Sequence, residues 1–194
     1  AGNNIASLIL TSIPVYFLTW FSISEGFLNV GYYSRANSLL IIGTVIASSV
    51  GPLLYSKWSL VKGKELKLQV RRVSLLLAFV NTLLAIGLII FAPIFIRILY
   101  GTEYQTAAPV LRLLALTMIA NGAKEVSYGI LSSQGSPLSI MKNLVIGIIL
   151  SAILNYFIIP QFGVIGCSVV TVLVTFTTAF LLPVSYTHLT LPTT

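Results

Sequence analysis

Four residues in the 107–131 region have the types and spacing for ligand chemistry: Asn121, Lys124, Glu125 and Tyr128. Their offsets of 0, 3, 4 and 7 place all four on one face of a helix. Thr117 and Ser132 extend the stripe. An ionisable side chain inside a membrane span costs about 2.5–3.5 kcal/mol on insertion scales, so it normally faces a bundle interior or a wet cavity. On that reading Lys124 is available to an anionic headgroup and Glu125 to a coupling proton or cation. The alternative places both near the end of the span. Lys124 precedes Leu131 by about 10 Å of helix, a distance much of which a lysine can snorkel. Both readings stand at this level.

Arg112 falls close to the opposite face and reads as an interfacial anchor. Arg35 opens another apolar span, where it meets either headgroups or, through its planar fork, a phosphate in a cavity. Asn81 and Asn155 read as partners in interhelical hydrogen bonds. No nucleophile–base pair is present, because Asp is absent and the sole histidine, His188, lies near the C-terminus. One cysteine, Cys167, excludes an intramolecular disulfide and a cysteine-cluster metal site. No cofactor, metal site or phosphate loop is expected.

The elements that carry these residues are apolar. Hydrophobic residues make up 57% of the 194, charged residues only 8%, and the mean hydropathy is +1.00. Soluble domains run near 25% charged. The expected fold is all-α and polytopic, with about six spans near residues 5–23, 33–55, 73–96, 107–131, 138–159 and 163–182. Pro14 predicts a kink in the first. Gly43, Ala47 and Gly51 put small residues on one face of the second. Pro160-Gln161-Phe162-Gly163 predicts a tight turn between the last two.

The net charge of +7 is concentrated. Lys57, Lys62, Lys64, Lys67, Arg71 and Arg72 lie in one stretch, read as a loop over 57–72. This is a topology and lipid-headgroup signal. It lacks the aromatic interleaving of a nucleic-acid face, so nucleic acid is not an expected partner. With this loop cytoplasmic, inside loops hold these six and Lys142. Outside edges hold only Arg35 and Arg97, with Glu25 and Glu103. Both ends of the bundle are then cytoplasmic. The chain begins at Ala1 almost inside a span, which reads as truncation. Residues 184–194, VSYTHLTLPTT, look like translated sequencing-adapter read-through and read as a non-native tail after a lobe of residues 1–183.

Several stretches together resemble the polysaccharide exporters and lipid-linked oligosaccharide flippases of the multidrug/oligosaccharidyl-lipid/polysaccharide superfamily. They are Val30–Ala36 (VGYYSRA) with the basic stretch after it, Leu99–Tyr104 (LYGTEY) followed by Ala107–Arg112 (AAPVLR), Gln134-Gly135 leading into Pro137, and Ile159–Gly166 (IPQFGVIG). The resemblance implies a C-terminal six-helix lobe, partnered by a missing N-terminal lobe across a central cavity. It implies translocation of a lipid-linked oligosaccharide by alternating access in a bacterial or archaeal plasma membrane. It also points to Arg35 and the Lys124 stripe as cavity positions. Two other readings stand beside it. One is an integral membrane enzyme of polysaccharide assembly, disfavoured by short outer loops. The other is a drug/cation antiporter, disfavoured by the Tyr-Gly-x-Glu-Tyr and Pro-x-Phe-Gly stretches.

Overall fold

A computed structural model describes residues 2–21, 27–48, 64–133 and 137–190. All its long elements are helices: α1 (Gly2–Phe21), α2 (Leu28–Ser48), α3 (Lys64–Tyr100), α4 (Ala107–Ala115), α5 (Thr117–Ser133) and α6 (Pro137–Thr190). A short 3₁₀ turn, Thr102–Tyr104, joins α3 to α4. Lys57 and Lys62 lie outside the described residues, as do Glu25, Gly51, Pro52, Trp58 and Gln134–Ser136.

α6 is a hairpin. Gly163 takes φ 54°, ψ −136°, a conformation that breaks the helix and that glycine tolerates. Asn143 Nδ2 donates to the Thr178 carbonyl at 3.0 Å. Those residues would stand about 52 Å apart on a straight helix. The turn read from Pro160–Gly163 is therefore where the chain reverses. Beside it, a Cβ on Gly166 would sit 2.7 Å from both Ile158 Cγ2 and Phe162 Cβ.

α1 lies along both the α6 hairpin and α2, and α4 and α5 pack between α2, α3 and α6. One end of the bundle gathers Phe21, Asn29, Tyr104 and Gly163; the other gathers Gly2, Leu131, Ile140 and Leu182. Among the described residues, three segments are long and apolar enough to cross a membrane: Gly2–Phe21, Leu68–Tyr100 and Leu138–Leu182. The distribution of side chains is that of a membrane protein. Ile42, Leu75, Phe79, Ile98 and Phe180 are exposed, whereas Asn81, Ser151, Asn155, Ser168 and Thr178 are buried. A bilayer takes the outer apolar surface at no hydrophobic cost, so the polar groups collect inside.

Three sequence-based boundaries change. The expected loop over 57–72 is helical from Lys64 onward. Its Lys, Glu, Leu and Gln residues are good helix formers, with no Gly or Pro between Lys64 and Arg72. α3 is consequently about 55 Å long against a hydrocarbon core of about 30 Å, and its exposed Arg71 and Arg72 lie toward the end that projects. The expected span 107–131 is broken at Leu116, where Leu116 and Ile119 N–H donate in the tighter i→i−3 pattern. Thr117 Oγ1 takes the Leu114 carbonyl at 2.6 Å, competing with the regular helix bond there. Finally, α6 does not stop at Pro183 but runs to Thr190.

Pro93 lies inside α3 and has no N–H, which leaves the Ile89 carbonyl without its helical donor. Arg112 Nε, from α4, donates to that carbonyl at 3.2 Å. Arg112 therefore repairs a proline break, a more specific role than the interfacial anchor its position suggests. Asn81 and Asn155 also depart from expectation. Each donates within its own helix, to Leu77 O and to Ser151 O, both at 2.8 Å. A buried amide finds its nearest acceptor one turn back, where no packing of a second helix is needed. Asn81 instead sits against Gly122, whose absent Cβ leaves room for the amide.

Candidate functional site

A cavity of about 380 Å³ lies inside the bundle, bounded by α1, α2, α5 and both arms of α6. Three polar stripes at helical spacing converge on it. Thr117, Asn121 and Lys124 come from α5; Tyr33, Asn37 and Thr44 from α2; Thr171, Thr175 and Thr178 from the second arm of α6. Thr11 and Ser151 complete the polar lining.

The hydroxyls are polarised in one sense. Thr171 donates to Cys167 O at 3.0 Å, Thr175 to Thr171 O at 2.7 Å and Thr178 to Val174 O at 2.9 Å. Thr44 does likewise to Ile41 O at 2.9 Å, and Thr117 to Leu114 O. A hydroxyl has one proton and two lone pairs. With each proton directed into its own helix, these threonines offer the cavity acceptors. Tyr33 Oη lies 3.1 Å from Thr171 Oγ1. Since the Thr171 proton is engaged at Cys167, the tyrosine is the donor, and the bond ties α2 to α6 across the cavity wall. The donors facing the cavity then include the ammonium of Lys124 and the amides of Asn37 and Asn121. Such a surface suits a ligand with many hydroxyls and one anionic group.

Pro14 places a further feature on this wall. Its missing N–H removes the helical donor of the Leu10 carbonyl, and both residues line the cavity. Cys167 is buried behind it, with Sγ 3.8 Å from the Pro14 carbonyl.

The structure divides the residues singled out from the sequence. Asn121 and Lys124 line the cavity, and Lys124 Nζ lies 5.9 Å from the centroid of the Tyr128 ring. That contact lets the ring face steady the ammonium. Glu125 and Tyr128 are half-buried one step round the helix and are not among the lining residues. Tyr128 packs against the cluster of Ala6, Leu131, Ile140, Leu144 and Leu182, and its hydroxyl is buried without a hydrogen-bond partner. Arg35 stands apart from the cavity, exposed two turns into α2. Its guanidinium carbon lies 5.2 Å from the Tyr100 ring centroid and 5.9 Å from that of Tyr104. Arg71 and Arg72 are exposed on α3, while the side chains of Lys64 and Lys67 are outside the described residues. Among the described residues no group of three His, Cys, Asp or Glu is placed to hold a metal ion.

Sequence reasoning missed Tyr33, Asn37 and Thr44, and the threonines of α6. The signal was present: polar residues at i, i+4 and i+11 on one helix and at i, i+4 and i+7 on another. It is weak because threonine in a span ordinarily bonds its own backbone, as these do.

Residues 25–109 match the family of polysaccharide biosynthesis proteins. The chain is 31% identical, over 170 residues, to the uncharacterized membrane protein MJ1068 of Methanocaldococcus jannaschii; the match covers 86% of the chain and 33% of that relative. It is 26% identical, over 174 residues, to the probable low-salt glycan biosynthesis flippase Agl15 of Haloferax volcanii, covering 85% of the chain and 37% of that relative. The chain thus spans about a third of the length of these curated relatives. No solved structure matches it. Together with the apolar helices, these matches make it a multi-pass membrane protein.

Proposed function

We propose that this chain forms one lobe of a flippase that carries a lipid-linked oligosaccharide across the membrane by alternating access. The observation that carries the reading is the cavity wall: hydroxyl oxygens from α2, α5 and α6 facing inward around the ammonium of Lys124. Sugar hydroxyls donate to the threonine lone pairs. The phosphate of the lipid carrier pairs with Lys124, a charge-assisted contact stronger than a neutral one. Both donors and acceptors are fixed by the helices, so the wall is set before cargo arrives. The role is transport rather than catalysis.

In this reading residues 1–183 are a six-helix lobe, with α4 and α5 together making the fourth crossing, and residues 184–194 are a non-native tail. A second lobe of the same protein closes the cavity from the other side. The basic end of α3, from Lys64 to Arg72, marks the cytoplasmic face and meets anionic headgroups. Both ends of the lobe are then cytoplasmic.

The test is complementation. The intact protein is expressed in a strain lacking its own flippase, and surface glycan is measured. Wild type restores it and Lys124→Gln does not, at equal abundance in the membrane. Normal transport by Lys124→Gln would remove the ammonium from the mechanism. Restored glycan synthesis in a strain lacking only a polymerase would turn the reading toward an enzyme.

A further inference from the structure

On the other side of α2 from the polar cavity runs a groove of about 360 Å³, walled by α2 and α3. Its α2 side is Leu39, Ile42 and Gly43; its α3 side extends from Leu83 to Leu99. The lining is apolar and open: Ile42 is 65% exposed and Leu99 56%. At Gly87 an added Cβ would meet nothing within 4 Å, so the floor has unfilled space.

One end of this groove is charged. Arg35 is one turn before Leu39 on the same face of α2. It lies over Tyr100, the residue after Leu99, and against Tyr104. Tyrosines of this kind belong at a membrane–water interface. An aromatic ring takes up no N–H donor in a conventional hydrogen bond, so the guanidinium keeps the planar fork of five N–H donors that fits phosphate. We propose that the groove and Arg35 together bind one anionic phospholipid, with an acyl chain along the groove and the phosphate on the guanidinium.

The charge decides the occupant. Any open apolar groove facing a bilayer fills with hydrocarbon, and lipid tails gain little by exchanging one apolar neighbour for another. Residence at one place therefore requires a headgroup contact, and Arg35 supplies it at the interfacial end. The site is separate from the cargo cavity, since α2 stands between them, and it does not depend on the flippase reading.

Native mass spectrometry of the intact protein, delipidated in detergent, tests this. The probes are a phosphoglycerol lipid and a phosphocholine lipid with identical chains. One phosphoglycerol lipid should bind with a preference of about fivefold, the effect of one basic residue at an anionic headgroup. Arg35→Gln should abolish the preference, and Arg35→Lys should keep part of it. Gly87→Leu should lower occupancy by both lipids while the melting temperature holds; Ile42→Trp, at an exposed position, serves if Gly87→Leu does not fold. A preference that survives Arg35→Gln overturns the proposal. So does unchanged occupancy when the groove is filled, or equal competition by soluble glycerol phosphate, which would leave a headgroup contact alone. Displacement by polyprenyl phosphate at equal concentration would also overturn it, by assigning the groove to the cargo's tail.

Discussion

The polar cavity and the apolar groove are nearly equal in size, about 380 and 360 Å³, and share α2 as a wall. They differ in everything else. The cavity takes its lining from α1, α2, α5 and α6; the groove takes its own from α2 and α3. A polar lining with charged and amide groups needs shielding from hydrocarbon, so it assembles where several helices meet. Apolar side chains need no such shield, and two helices suffice. The difference extends to the glycines. Gly147 supports the cavity wall tightly, with a Cβ there falling 2.9 Å from Thr178 Cγ2, whereas Gly87 lies open in the groove. The inside of this bundle is therefore a precise polar surface, and its outside is tolerant.

The largest expected effect comes from removing the cavity's ammonium. Lys124→Gln should reduce transport by roughly 10- to 100-fold, the loss of a charged hydrogen bond to cargo. The flipping rate in reconstituted vesicles measures it, with Lys124→Arg expected to retain part of the activity. Next is the tight glycine. Gly147→Ala should destabilise the protein by about 1–3 kcal/mol through overpacking against Thr178 and Leu10. A melting curve in detergent reads this out. An unchanged curve would mean that the cavity wall is as compliant as the groove.

A smaller effect is expected at the proline clamp. Arg112→Ala should cost about 1 kcal/mol by leaving the Ile89 carbonyl unpaired. The cost should vanish in a Pro93→Ala background, which restores the helical N–H to that carbonyl; a double-mutant cycle isolates the coupling. Additive effects would break the assignment. The smallest belongs to the groove. Gly87→Ala should shift stability by less than about 0.5 kcal/mol in either direction, or raise it slightly through helix propensity. If Gly87→Ala and Gly147→Ala proved equally costly, the contrast between the two regions would fall.

Much of the fold could be read from composition and periodicity. Long apolar runs allow only helices in a bilayer, because each backbone polar group must be paired within its own segment. The glycine and proline of Pro160–Gly163 mark a reversal by local backbone chemistry alone. The face carrying Asn121 and Lys124 follows from a period of 3.6 residues. These are short-range properties, contained in stretches of a few residues.

Convergence was not legible. Nothing local tells Thr171 that it faces Tyr33, 138 residues away. Nor does spacing say that the helix carrying Lys124 turns that residue into the cavity and Glu125 beside it. Arg112 and Arg35 show the same limit. Arg112 reads as an interfacial anchor and Arg35 as either a headgroup contact or a cavity residue, yet one repairs the break at Pro93 and the other is held by Tyr100 and Tyr104. Sequence by itself determined which segments are helical and apolar, and which faces carry polar groups, because those depend on bonding within a turn or two of chain. Only the tertiary structure decided which faces meet, since that depends on how helices distant in sequence pack so that polar groups share one interior and hydrocarbon covers the rest.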